Sequence, residues 1–410
     1  VSVETADVVI VGGGIFGCSI AWHVARTEPK ARVVVLERLA APATQASSQA
    51  AGLLTRTRAD AQSRALVTRT YDAIEELAGE LGEPLPIHRV GTLHVARSAT
   101  AKGALDGIAA MAAASDLAVE FPGAAEARRL VPWLATADDD RRLFVPEDAF
   151  IDPYALADAY ARAARRRGVV IRLGTEVREI VVEAGNARGI STAGGRIEAA
   201  TVVLAGGAWA NRLAAPAGCP LPMAPVRSQY WITGTDPLFP RDQPMLMLPD
   251  ARAYARPELG ALLFGLREAA SVSADPALLP DDASGWSFAD DPDGWDSLAE
   301  DAVAFRAFCP ALDRLPIRHH VAGFSTYTPD GRFILGSAPD AAGLFVASGC
   351  CGAGIAASGG VGAAIADLAL GCSPSIDLTP FRPDRFGAID PFDPTVRAHC
   401  AAARSHKRSA

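Results

Sequence analysis

No two cysteines of this chain form a CxxC pair. The seven present, at 18, 219, 309, 350, 351, 372 and 400, follow no regular spacing. An odd, irregular set is not a disulfide framework, and without CxxC neither a zinc ribbon nor a redox dithiol is indicated. No metal is expected, and the pattern suits a reducing, cytoplasmic compartment. A basic balance is missing as well. The net charge is −8, which argues against nucleic acid as a partner, because phosphate binding needs a positive field. The N-terminus enters an apolar strand at Asp7 without the basic region or small-residue cleavage site of a signal peptide.

One long stretch lacks charge altogether. Residues 341–366 are long enough to span a bilayer. They hold glycines at 343, 349, 352, 354, 359, 360 and 362, which weaken a lone helix. A buried strand at Leu344–Ala347, a glycine loop and a helix from about Ile355 are expected there, not a membrane span. No internal repeat is found. A length of 410 residues suits two or three domains and a large core without disulfides or metals.

What the chain does have is glycine in a telling order. Asp7–Val11 is an apolar run that reads as a strand buried on both faces. Gly12-Gly13-Gly14-Ile15-Phe16-Gly17 follows, then a helical pattern over 15–26 and a second buried strand at Arg32–Glu37. This is a βαβ unit opened by GxGxxG. Gly12 allows the tight turn, Gly14 lets backbone N–H groups approach a pyrophosphate, and Gly17 lets helix and strand pack. The helix N-terminus favours the phosphates. Glu37 stands 20 residues beyond Gly17, where an acid accepts hydrogen bonds from a ribose diol. The fingerprint alone does not separate FAD from NAD. Two further glycine zones, Ala205-Gly206-Gly207-Ala208-Trp209 and Gly349–Gly354, suit a long cofactor buried across the domain. No second GxGxxG offers a nicotinamide site.

Along the rest of the chain, Thr44–Leu54 reads as a loop entering a helix, and Ala61–Leu81 as a helix. Arg89–Val95 alternates as a half-buried strand. Residues 101–134 look helical, with a stop at Pro132. Asp152 caps a helix with Pro153 at its first position, and Gly168 closes it. Val169–Leu173, Val177–Val182 and Thr201–Ala205 are strands. From 216 the texture is that of an antiparallel sheet, with Gln229–Thr233, Ala253–Arg256 and Leu262–Gly265 as strands. Residues 275–300 are acidic and turn-rich, and buried strands return near 315. The basic tail Arg404–Arg408 reads as a disordered end.

These residues resemble the D-amino-acid oxidase superfamily of FAD-dependent amine and amino-acid oxidoreductases. The resemblance runs over essentially the full length. It is carried by the cradle, by Ser47-Ser48-Gln49-Ala50-Ala51-Gly52-Leu53, by Ala205–Trp209, and by Thr328-Pro329-Asp330-Gly331 with Gly349–Gly354. Gln229–Thr233 and Phe324–Gly331 are similar to the sarcosine and dimethylglycine dehydrogenases. The layout also resembles glycine oxidases and D-amino-acid dehydrogenases.

The resemblance implies an α/β fold: a Rossmann-like FAD-binding domain and an α+β substrate domain on an antiparallel sheet, with segments interleaved. The FAD-binding domain is expected from 1–80, 145–215 and 315–375, and the substrate domain from 81–144 and 216–314. Residues 376–410 form a C-terminal extension, partly disordered. The implied cofactor set is Gly12, Gly14, Ile15, Phe16, Gly17, Glu37, Arg38, Ser47, Ser48, Gln49, Ala51, Gly52, Val177, Ala205, Gly206, Gly207, Trp209, Gly349, Gly352, Ala353, Gly354 and Ile355.

Departures from the family matter as much. The dimethylglycine branch attaches its flavin through a histidine where Gln49 stands. The monomeric sarcosine oxidases use a cysteine where Gly323 stands. Non-covalent FAD is therefore expected. The oxidases carry a lysine after the late glycine cluster that promotes reaction with oxygen; around Ala356 this chain has none. Ser325 takes the position of a second carboxylate-binding arginine.

The implied activity is oxidation of the C–N bond of a small amino acid or N-alkyl amine. A hydride equivalent goes to flavin N5, and the imine product is hydrolysed. The acceptor is oxygen or a redox partner; the alternative is a flavoprotein subunit of a hetero-oligomer that hands electrons on. A helix opening near Ile355 would aim N–H groups of Gly352–Ile355 at the flavin's N1 side. The catalytic candidates are Arg227, for a substrate carboxylate or else a surface salt bridge, and Tyr254, to orient the substrate or else an ordinary sheet tyrosine. His319-His320 and Cys350-Cys351 read as polar contacts near the site, or as an ordinary exposed pair and small buried hydrophobes.

Overall fold

Four runs without a charged residue form the spine of the molecule: Val8–Val11, Val33–Leu36, Thr201–Leu204 and Leu344–Ser348. Such runs must be covered on both faces, which is the position of strands in a parallel sheet. The structure is a computed structural model that describes residues 4–407. In it these runs join one six-stranded sheet, in the order Ile334–Ser337, Leu344–Ser348, Thr201–Leu204, Val8–Val11, Val33–Leu36, Val170–Arg172. All neighbours are parallel except the edge pair Ile334–Ser337 and Leu344–Ser348.

Helices Ile15–Thr27, Ala61–Leu81, Pro153–Arg166 and Ser358–Ala369 cover one face and share one core. A smaller four-stranded sheet, Glu4–Thr5, Gly195–Glu198, Asn186–Thr192 and Val177–Glu183, covers the other. Asp152 caps its helix as expected, accepting from the Ala155 N–H at 2.8 Å. The helix expected from Ile355 begins at Ser358, because the chain first makes a turn that ties the Ser358 N–H to the Ile355 carbonyl. Its glycines serve packing. A Cβ on Gly362 would stand 2.1 Å from Ser19 Oγ, and one on Gly360 2.3 Å from Leu66 Cα. Among the described residues no helix is long and apolar enough to cross a membrane.

The second large sheet has seven strands: Ile317–Tyr327, Ala224–Thr233, Ala261–Leu266, Ala253–Glu258, Met245–Leu248, Thr92–Ala96 and Arg141–Val145. Only Met245–Leu248 and Thr92–Ala96 pair in parallel. The molecule is thus α/β with a separate, mainly antiparallel sheet, built from interleaved segments.

Three expectations need correction. The return to the parallel sheet near 315 comes later: Ile317–Tyr327 first pairs along Ala224–Thr233, and only Ile334–Ser337 re-enters. The helical stretch 101–134 is two helices, Ala99–Ala113 and Ala124–Leu130, parted by Pro122-Gly123. The basic tail is not a loose end as far as it is described. Pro394–Ser405 is a helix capped by Asp393, whose carboxylate accepts from the Thr395 N–H at 2.7 Å. Its apolar face, Val396 and Cys400, buries against Ala224, Val226 and Tyr327. Arg408 lies outside the described residues.

Candidate active site

A cavity of ≈ 580 Å3 runs between the parallel sheet and the seven-stranded sheet. At one end is the glycine cradle. Gly12 has φ +105°, open to glycine at little cost, and a Cβ on it would stand 2.5 Å from the Ala205 carbonyl. A Cβ on Gly17 would stand 1.9 Å from the Gly12 carbonyl. Gly14, by contrast, faces open space up to Ser47 Oγ at 3.5 Å, which is where a pyrophosphate needs room. Ser47 Oγ itself accepts from the Ile15 N–H at 3.2 Å. The Glu37 carboxylate is fixed by two backbone donors, Gly13 N–H at 2.8 Å and Leu39 N–H at 3.0 Å. Its remaining lone pairs are available to a ribose diol.

The rim of this end is clasped from across the chain. The Arg38 guanidinium lies 4.2 Å from the Trp209 ring centroid. Trp209 Nε1 donates to the Pro280 carbonyl at 2.9 Å, and Arg212 pairs with Asp281 at 2.5 Å. Gln45 donates to Asp282 at 2.9 Å and accepts from the Ala283 N–H at 2.8 Å. The acidic turns beyond 275 are therefore partners for the cradle's rim, a role their sequence does not announce.

Most of the expected cofactor residues line the cavity: Gly12, Gly14, Ile15, Phe16, Glu37, Arg38, Ser47, Gln49, Ala51, Gly52, Val177, Ala205, Gly206, Gly207, Trp209, Gly352, Gly354 and Ile355. Gly17, Ser48, Gly349 and Ala353 are not among its lining residues. Gly17 packs against Gly12, and the Ser48 hydroxyl donates to the Gln45 carbonyl. Gly349 turns against Thr328 and Ile334, and the Ala353 N–H donates to the Cys350 carbonyl at 2.8 Å. The late glycine loop does not present four free donors. Cys351, at φ +47°, tucks the loop onto Ile317–Tyr327, with its N–H on the Thr326 carbonyl at 2.8 Å. The Gly352 N–H is taken by Ser325 Oγ at 2.9 Å. Gly354 and Ile355 remain at the cavity wall.

Gln49 and Gly323 meet in space. A Cβ on Gly323 would stand 3.1 Å from that of Gln49. Gln49 Oε1 is buried without a hydrogen-bond partner, which costs stability unless something else fills the need. The orphaned oxygen, the open Gly14 and the fixed Glu37 all fit a dinucleotide flavin held here.

The other end lies against the seven-stranded sheet. Tyr254 lines it, its ring lying over Gly265, where a Cβ would stand 2.2 Å from Cζ. Burial pushes its phenol well above the usual range, so the hydroxyl stays protonated. Tyr230, Tyr327, Ser325 and Cys350 join it.

Arg227, the expected carboxylate anchor, is not among the lining residues. On Ala224–Thr233 it alternates with Ser228 and Tyr230, which do line the cavity, so it points to the other face. There it binds Glu268 at 2.5 Å and Asp290 at 2.9 Å. His320 is also off the cavity, bonded to Gln229 at 3.1 Å and stacked on Trp231. Cys351 is a buried thiol pushed up to about 12 by burial. Sequence reasoning missed Arg58, Arg267, Arg404 and Lys407, which line the same end. No local motif marks them, since they converge from distant stretches of chain.

A family model described as FAD dependent oxidoreductase matches residues 7–368. The chain belongs to this family of FAD-dependent oxidoreductases. Membership indicates FAD as the cofactor. Mitochondrial dimethylglycine dehydrogenase of Rattus norvegicus is 28% identical over 399 residues, covering 94% of this chain and 45% of that protein. This family member therefore spans under half the length of that relative. Among solved structures, glycine oxidase from Geobacillus kaustophilus is similar at a TM-score of 0.77 and 26% identity, covering 93% of this chain and 99% of that one. L-proline dehydrogenase from P. horikoshii shares the fold at a TM-score of 0.82 and 23% identity, covering 94% and 98%.

Proposed function

We propose that this protein oxidises the C–N bond of a small amino acid or N-alkyl amine, with FAD held without a covalent bond. The observation that carries the reading is one continuous cavity joining the dinucleotide cradle to a chamber walled by Tyr230, Tyr254 and Tyr327. The names of two similar proteins, dimethylglycine dehydrogenase and glycine oxidase, support the same substrate class.

When bound, FAD supplies the acceptor for the hydride equivalent that leaves the carbon next to nitrogen. The chain's own residues bind and orient. Gly12, Gly14 and Glu37 hold the dinucleotide end. The Tyr254 hydroxyl, kept protonated by burial, is a donor and acceptor for the amine or its acid group. Met247, Leu266 and Phe324 also line the cavity and limit water around the reacting carbon. The imine product is hydrolysed to a carbonyl compound and an amine.

Anaerobic mixing with sarcosine, glycine, D-amino acids and secondary amines tests this. Bleaching of the visible flavin absorbance is expected; no bleaching by any amine would sink the reading. Non-covalent attachment draws on Gln49 and Gly323, neither of which bonds a flavin. Acid denaturation should leave the flavin in the supernatant, and yellow colour retained on the precipitate would overturn it. A second reading, a flavoprotein subunit handing electrons to a partner, draws on the stretch around Ala356, which lines the cavity and holds no lysine after the late glycine cluster to promote reaction with oxygen. Bleaching without peroxide when air is admitted supports it.

A further inference from the structure

Very little separates the chamber from the outer surface. A crevice of ≈ 560 Å3 runs between the turn at 328–331 and the C-terminal helix Pro394–Ser405. Tyr327 and Lys407 line both this crevice and the main cavity. The same two side chains therefore face the chamber on one side and the crevice on the other. With FAD seated in the cradle, that end of the cavity is filled, and a substrate needs another way in.

Both banks of the crevice are fixed. On one, Arg385 pairs with Asp330 at 2.8 Å, and the Gly331 N–H closes the turn on the Thr328 carbonyl at 3.1 Å. On the other, Val396 and Cys400 are buried against Ala224, Val226 and Tyr327. Arg404 donates there to Ser271 Oγ at 3.0 Å, and Ser405 Oγ accepts from the Ser271 N–H at 2.8 Å. Tyr327 is only 4% exposed and belongs to that core. Lys407 differs. It stands beyond the last helical residue and is half-buried. Its Nζ is tied to the Cys351 carbonyl at 2.6 Å. The flexible four-carbon stem can swing outward and carry the ammonium into water. The Cys351 carbonyl then faces the same water, so the movement leaves neither group buried and unpaired. Beside it the crevice is lined by Ala402 and Ala403, small residues that keep the way open.

We propose that this crevice is a substrate door to the chamber, with the Lys407 side chain as its bolt. The proposal rests on the reading of the cavity as cofactor cradle and substrate chamber, and adds how the substrate enters. A door acts on the rate of entry and not on the chemistry of a substrate already seated.

Cys350 lines the chamber and is half-buried, so its alkylation by iodoacetamide, a small neutral probe, reports entry. The FAD-loaded protein is alkylated and each cysteine is followed by tandem mass spectrometry. Lys407→Ala should speed Cys350 alkylation at least about tenfold, the weight of one charge-assisted hydrogen bond. Losing a cation does not by itself speed a thiol, since the thiolate is the nucleophile. Adding Ala403→Trp should take that gain away. Adding Ala398→Trp, exposed on the same helix and outside the crevice, should leave it. Cys400, buried beneath the helix, should stay unmodified throughout. An unchanged Cys350 rate in Lys407→Ala overturns the proposal, and so does a gain that Ala403→Trp leaves intact. Alkylation of Cys400 in step with Cys350 would mean that the helix has come away, and overturns it too. For any amine that bleaches the flavin, Ala403→Trp alone should lower the second-order rate constant of reduction at least about threefold and leave the rate at saturation unchanged. Cysteine rates as expected, with no amine able to bleach the flavin, would remove the amine-oxidising reading alone. Bleaching with no effect of Lys407→Ala on Cys350 would remove only the door.

Discussion

The two ends of the cavity are built on opposite plans. The cradle is made of backbone: glycines that leave room, a Ser47 hydroxyl held by the Ile15 N–H, and one carboxylate pinned by Gly13 and Leu39. The chamber is made of side chains: tyrosines and cations carried by the seven-stranded sheet, the loop before Ala61–Leu81, and the C-terminal helix with the residues just past it. A backbone site demands particular residues at fixed offsets along one short stretch. A side-chain site demands only that distant residues arrive together. The first plan suits a cofactor that is the same in every turnover, the second a substrate that differs between relatives.

The comparison breaks first at the cradle. Gly17→Val sets side-chain carbon against the Gly12 carbonyl, where even a Cβ would stand at 1.9 Å. The variant should be purified without flavin, read as the ratio of visible to ultraviolet absorbance. A fully yellow Gly17→Val protein would mean the cradle is not where the dinucleotide sits. Glu37→Ala removes the acceptor of two backbone donors and should weaken FAD binding by about ten- to a hundredfold, measured by fluorescence titration of the apoprotein. Flavin reduction by a saturating amine should change far less, because the loss lies at the other end.

Those two positions were legible from the start, and so was the parallel sheet. Val8–Val11 and Val33–Leu36 announce themselves because a strand buried on both faces tolerates no charge. Arg227 was misjudged because its type fitted the chemistry, while the face it occupies is set by alternation along a strand whose register only the fold reveals. Ser228 and Tyr230, its neighbours, were the lining residues. The tail was misread for a similar reason. Its arginines suggest a solvated end, yet Val396 and Cys400 give that helix a side to bury. Lys407 reaches the chamber only because they do.

At the chamber end, Arg227→Met sharpens the contrast between residues that line the cavity and those that support it. It leaves Glu268 and Asp290 without their shared cation. It should cost about 3–5 kcal/mol of stability, read by denaturant unfolding, while the flavin reduction rate of folded holoprotein stays within about threefold. A large rate loss at unchanged stability would return Arg227 to the substrate.

The smallest expected effect concerns Asp148, which burial raises to about 6. Its folded value lies above its unfolded one. The native state therefore favours the protonated carboxyl, and this contribution is full below about pH 4 and lost as pH rises through about 6. Asp148→Asn should abolish that loss, gaining on the order of 2–3 kcal/mol relative to the parent between pH 4 and 7. Parallel stability profiles for the two proteins would show that Asp148 does not titrate as described.

The clasp over the cradle also has a kinetic side. Pro280, Asp281 and Asp282 grip Trp209, Arg212 and Gln45 at the rim, joining segments that lie 71 residues apart at Trp209 and 237 apart at Gln45. A dinucleotide seated beneath that rim is expected to depart only when the turn lets go. The expected consequence is a flavin residence time that follows the opening rate of this loop. Exchange for labelled FAD should follow the loop's clock, and an exchange rate unchanged by loosening the Gln45–Asp282 contact would separate the two.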